Sequence, residues 1–217
     1  MALTVGVKEE LVKKTKKSIA RARDLHQRIC IYGATQNDEG FSRLLNVDKR
    51  DAAMYIFFEV AAQYEHFCCE AFKIEVRKKF NVPPSKAEII MGSVDRGLRG
   101  TMGWAKPSNL QDRAKKLFGK TGFFGRFDTI MPPETRNWLI YAHKVRNRIA
   151  HNGKQATSAY SAILVQLGVP FGSRKGSSVG RVLLEYPNGT DIDDRWFDRF
   201  LRAYGTVVTE FDKRVRI

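Results

Sequence analysis

Arg146-Asn147-Arg148-Ile149-Ala150-His151 sets an arginine, a carboxamide and a histidine close together near the end of a helical stretch. These are the side chains that a phosphodiester-cutting site working without a metal would use. Histidine titrates in the neutral range, so His151 is suited to take a proton from an attacking hydroxyl or to return one to a leaving oxygen. A guanidinium meets the negative charge that builds on phosphorus with paired hydrogen bonds, the role open to Arg146. Asn147 lies one turn before His151 and can bond its ring or a phosphate oxygen, fixing the histidine's orientation. His143, Lys144 and Arg148 flank these three as candidate supporting or RNA-contacting groups, and Glu65, earlier in the chain, is a fourth candidate. The attacking hydroxyl would be an internal 2′-hydroxyl, which RNA has and DNA lacks.

These residues must be positioned by a helix predicted over Glu134–Asn152, opened by Pro132-Pro133 and ended by Gly153. Trp138, Ala142, Val145 and Ile149 stand at i, i+4, i+7 and i+11, an apolar stripe that faces the core. His143, Asn147 and His151 fall on the opposite side. An ordinary solvated helix face carries Glu with Lys, whereas this one concentrates His, Asn and Arg against helix propensity. A metal shared by His143 and His151 is excluded, because eight residues of helix separate their backbones by roughly 12 Å. Five residues of ideal helix turn through about 500°, so Arg146 and His151 diverge by about 140°. Either the helix loosens near Asn152-Gly153, or two subunits complete one site.

With its R-N-x-x-x-H form, this segment resembles the HEPN superfamily, the helical domains of prokaryotic toxins, antiviral defence proteins and CRISPR-linked ribonucleases. The long aromatic helix with Phe57-Phe58-Glu59 and Phe67, followed by the late helix from Trp138 through Ile149, is similar to the core of that family. The resemblance spans roughly residues 48–165. It implies a metal-independent endoribonuclease in a toxin or antiviral defence system, with Arg146, Asn147 and His151 catalytic. It also implies a homodimer whose facing motifs form a composite site, with an antitoxin or another defence protein as a further partner. Two other readings stand beside it: a catalytically silent HEPN-like interaction module or toxin-neutralising partner, and a basic nucleic-acid-binding helical protein. The intact Arg and His weigh against the first, and the lack of helix-turn-helix spacing weighs against the second.

The remainder of the chain predicts an all-α fold, and the resemblance implies a HEPN-like helical bundle with N- and C-terminal helical additions. A single helical domain is expected, with an N-terminal helix over about 8–32, a core over about 48–165 and a C-terminal extension over about 168–217. The first helix bears Lys13, Lys14, Lys16, Lys17, Arg21 and Arg23, and Ala34–Asn46 reads as a polar loop. The second, Asp48–Phe80, stops before Pro83-Pro84. Its core arc holds Met54, Phe57, Phe58, Ala61, Tyr64, Cys68, Ala71 and Phe72. Glu65 lies inside that arc, where an unpartnered carboxylate is costly to bury, so a partner on the motif helix is expected, Arg146 first. Shorter helices follow over Pro84–Val94, Asn109–Phe118 and Ser158–Leu167, with a glycine-rich loop at Gly92, Gly97, Gly100 and Gly103. A short hairpin is expected near 180–190, with a strand over Arg181–Tyr186 turning at Asn188-Gly189, before a closing helix over Asp193–Arg214.

Gly119-Lys120-Thr121 looks like the end of a phosphate-binding loop, but Ala114 stands where that motif needs glycine, and a helix rather than a strand precedes it. Thirty-eight basic against twenty-three acidic residues leave a formal charge of +15, which attracts polyanions. Three cysteines, two of them adjacent, make no disulfide framework and no C-x-x-C metal or redox pair. No apolar run has the length of a signal core or a membrane span, so a cytoplasmic protein away from membranes is expected, without cofactor or metal.

Overall fold

The computed structural model describes residues 2–32, 46–95, 103–151, 153–169, 178–184 and 195–216, and among them every regular element is a helix. In chain order these are α1 Ala2–Tyr32, α2 Asn46–Phe80, α3 Pro84–Asp95, α4 Pro107–Phe118, α5 Gly122–Gly125 and α6 Phe127–Ile130. Then come α7 Pro133–Ala150, α8 Lys154–Gln166, α9 Val179–Leu184 and α10 Trp196–Arg214. The protein is all-α. No described helix is long and apolar enough to cross a membrane.

Local chemistry explains the boundaries. Asn81 ends α2 in the left-handed region at φ 51°, and the Val82 amide donates back to the Arg77 carbonyl at 3.3 Å, the wrapped C-terminal bond that precedes the two prolines. Gly168 does the same for α8 at φ 73°, with Val169 donating to Leu164 at 2.9 Å and Gly168 to Val165 at 3.1 Å.

The expected strand at Arg181 is instead helical. Val179–Leu184 forms α9, with Val179, Val182 and Leu183 buried and Arg181 exposed. Over so few residues, two branched residues and a leucine do not distinguish a helical from an extended period. The turn at Asn188-Gly189, the loop 34–45 and the glycines 97 and 100 lie outside the described residues. Gly92 is inside α3 rather than in a loop.

The chain packs as two compact units, the first built from residues 1–17, 62–140 and 203–217, the second from 18–61 and 141–202. Aromatic residues dominate the first. Tyr64 stacks on Tyr204 at 4.1 Å, Phe67 meets Phe211 edge-on at 5.6 Å, and Phe72 lies among Trp104, Phe118 and Phe124 at 5.3–5.8 Å. Each buried ring contributes about 1.5–3 kcal/mol through the apolar area it removes from water. Arg113 is fully buried here, its guanidinium 4.2 Å over the Trp104 ring. In the second unit Phe57 packs on Phe197 and Phe200, and the imidazole of His26 stacks flat on Phe197 at 3.9 Å. A Cβ at Gly180 would collide with the backbone of Arg50, so the α9 backbone can approach α2 only with glycine there.

The core face of α2 is wider than one arc. Phe57, Ala61, Tyr64, Cys68, Ala71 and Phe72 are buried as expected, while Met54 and Phe58 are half-buried. Ala53, Val60, Phe67, Ile74 and Val76 join the buried set, which covers about half the helix circumference at 100° per residue. Packing on several sides at once removes the contrast that a single amphipathic stripe would give.

Glu75 on α2 is buried and serves the first unit as a remote cap. Its carboxylate accepts the backbone N–H groups of Phe123 at 2.5 Å and Phe124 at 3.1 Å, the free donors at the start of α5. Burial raises its pKa and these two donors oppose the rise.

Candidate active site

Helix α7 begins with Pro133 and carries Leu139, Ala142 and Val145 fully buried. Trp138 and Ile149, expected on the stripe, are only half-buried. Leu139 draws the core face toward its own side. Arg146 lies only about 20° from Leu139 on the wheel, which explains why it too is half-buried rather than solvated.

Two of the contacts that hold Arg146 bear on its orientation. Its guanidinium stands over the Phe58 ring, 5.5 Å from the centroid, and Nη1 donates to Asn147 Oδ1 at 3.3 Å. Asn147 Nδ2 in turn lies 3.1 Å from His143 Nε2. A guanidinium can only donate, so the Asn147 oxygen faces Arg146 and its amide nitrogen faces the ring. His143 Nε2 is then the acceptor, and the proton of a neutral ring sits on Nδ1. The three side chains form one directional chain from Arg146 through Asn147 to His143.

His151 is placed differently. It is exposed, immediately past the last residue of α7, and Asn147 makes no side-chain bond to it; the expected orienting contact goes to His143 instead. Its backbone N–H still donates to the Asn147 carbonyl at 2.9 Å, and its own carbonyl accepts from Arg148 Nη1 at 3.4 Å. The backbone therefore follows the helix as far as residue 151, and the divergence of about 140° from Arg146 stands. Loosening at Gly153 does not remove it. Gly153 has an ordinary φ of −69° and is the N-cap of α8 rather than a left-handed end to α7, with its carbonyl accepting from Thr157 at 3.1 Å.

Lys144 and Arg148 are half-buried on the same helix, and Glu65 is half-buried on α2. Sequence reasoning did not single out Phe58 as a platform for Arg146. The signal was faint, since an aromatic residue among many on α2 shows its role only once α7 is packed beside it. Gly119-Lys120-Thr121 is a turn between α4 and α5, with Thr121 Oγ1 donating to the Phe118 carbonyl at 2.6 Å. Among the described residues no three His, Cys, Asp or Glu side chains are grouped to hold a metal ion, and Cys30, Cys68 and Cys69 form no disulfide.

Compared with protein-family models, curated proteins and solved structures, the chain matches none.

Proposed function

We propose that this protein is a metal-independent endoribonuclease of HEPN type, acting in a toxin or antiviral defence setting. One observation carries the reading: Arg146, Asn147 and His143 are joined by hydrogen bonds on α7, and His151 stands exposed at the end of the same helix. In the reaction, a ribose 2′-oxygen bonds to the adjacent phosphorus and the bond from phosphorus to the 5′-oxygen breaks. The proton leaves the 2′-hydroxyl and a proton reaches the departing 5′-oxygen, with His151 handling one of these transfers. Arg146, pre-oriented by Phe58 and Asn147, supports the charge on the equatorial phosphate oxygens.

Because Arg146 and His151 diverge on one helix, the reading includes a second copy of the chain, whose motif completes the site across a two-fold axis. The formal charge of +15 favours a polyanionic substrate. Purified protein incubated with mixed RNAs is expected to cut them, and His151→Ala is expected to lose at least ~10²-fold in rate, the lower end of general acid–base contributions. Cleavage at the wild-type rate by that variant would return the motif to an ordinary basic surface.

A further inference from the structure

Helix α1 carries more cations than its acidic neighbours neutralise, and the structure separates two groups of them. Lys8 and Lys16 both reach Asp212, at 3.4 and 3.0 Å, Arg23 lies 3.8 Å from Asp198, and Arg28 pairs with Asp24 at 3.0 Å. Lys13, Lys14, Lys17 and Arg21 are all exposed and none is within ion-pair distance of a described carboxylate.

Their placement follows from one unbroken helix. Lys13, Lys17 and Arg21 succeed one another at i, i+4 and i+8, so their backbones rise in steps of about 6 Å along one side, with Lys14 next to the row. Glu9 and Glu10, one turn before Lys13 and Lys14, bound the row at its N-terminal end.

We infer that this row is a docking surface for the phosphate backbone of single-stranded RNA, outside the α7 motif. A regular line of cations complements a chain of regularly repeated anions, and each phosphate neutralised releases bound counterions. An anionic membrane fits less well. A helix lying on a bilayer inserts its apolar face, whereas Leu11, Val12, Ile19 and Ala22 of α1 are already buried inside the protein. The choice of RNA as the polyanion rests on the ribonuclease reading; the surface itself does not.

The test is the salt dependence of binding, measured by fluorescence anisotropy with a labelled oligouridylate on full-length His151→Ala protein, so that cleavage does not interfere. A second protein adds Lys13→Gln, Lys14→Gln, Lys17→Gln and Arg21→Gln, exposed changes to a residue of similar helix propensity. A third adds instead Lys115→Gln, Lys116→Gln, Lys120→Gln and Lys154→Gln, removing the same charge from other exposed positions. At about 0.7 per phosphate for single strands, loss of the α1 row is expected to flatten the slope of log K against log salt by roughly 3. The third protein should keep most of its slope.

Equal flattening in both would reduce the effect to net charge and overturn the proposal. So would loss of binding to phosphatidylserine vesicles with RNA binding unchanged. An α1-dependent slope in a wild-type protein that cuts no RNA would leave this surface standing and remove the ribonuclease reading. Cleavage with an α1-independent slope would do the reverse.

Discussion

The Arg146 guanidinium does two things at once, lying over the Phe58 ring and donating to Asn147. Lysine keeps the charge but has neither the planar face nor the fork of donors needed to do both. Arg146→Lys is therefore expected to lower RNA cleavage by at least about tenfold, and Arg146→Ala by the ~10²- to 10³-fold typical of a lost oxyanion donor. On the proposed mechanism His143→Ala should cost less than His151→Ala, because His143 acts through Asn147 whereas His151 would handle the proton. Single-turnover rates on one RNA order the four variants. A loss for His143→Ala equal to that of His151→Ala would contradict these roles.

The motif itself was legible in the sequence because its residue types defy helix propensity. The inward turn of Arg146 and the Asn147 contact to His143 were not, since both depend on where Leu139 and Phe58 pack. His26 was invisible for the same reason. Buried against Phe197, its imidazole has a pKa lowered to about 3, first by burial and then by the Arg195 guanidinium. The Leu183 backbone opposes this without reaching hydrogen-bonding geometry with the ring. Unfolded, the ring titrates near 6.5. Below that pH the unfolded chain takes up a proton that the folded protein refuses until about pH 3. The resulting loss of stability amounts to at most about 1.4 kcal/mol per pH unit. Urea unfolding at pH 7 and pH 5 should show wild type losing more stability on acidification than His26→Phe. The comparison stays above the range in which Asp128, Glu210 and Asp212, whose pKa values are lowered, begin to protonate.

Long helices with strong end signals were readable as elements. For α2 the expected start at Asp48 lies two residues inside the observed Asn46 and the expected end at Phe80 coincides with the observed one, because Pro83-Pro84 forbid continuation, whereas α4 and α8 begin two and four residues before their expected starts at Asn109 and Ser158. The very short helices were not, because α5 has no capping side chain of its own and borrows one from Glu75, 48 residues earlier in the chain. That dependence makes a stability prediction. Glu75→Ala leaves two buried N–H donors unsatisfied and is expected to cost about 1–3 kcal/mol for each one left dry. Glu75→Gln keeps a carbonyl acceptor and should cost less. Gly122 is part of the same arrangement, at φ 73° with room for a Cβ only 2.8 Å from Glu75 Oε1, so Gly122→Ala should also destabilise. Chemical denaturation midpoints measure all three, and an unchanged midpoint for Glu75→Ala would show that water satisfies the α5 amides.

At the scale of the whole molecule, the all-α class was legible from periodicity and punctuation, whereas the division into two packed units was not. The chain passes between those units inside α1, α2, α7 and α10, so no linker or change of composition marks the boundary. The proposed composite site requires two copies of the chain, and light scattering at tens of micromolar, roughly the usual working range, is expected to give a dimer mass. A strict monomer that still cuts RNA would remove the two-subunit site. The most direct test of the central claim is the chemistry of the ends left on a defined RNA cut in EDTA, read by mass spectrometry. The account predicts a 2′,3′-cyclic phosphate facing a 5′-hydroxyl, with neither product formed by His151→Ala. A 3′-hydroxyl facing a 5′-phosphate, or cleavage that EDTA abolishes and a divalent ion restores, would contradict it.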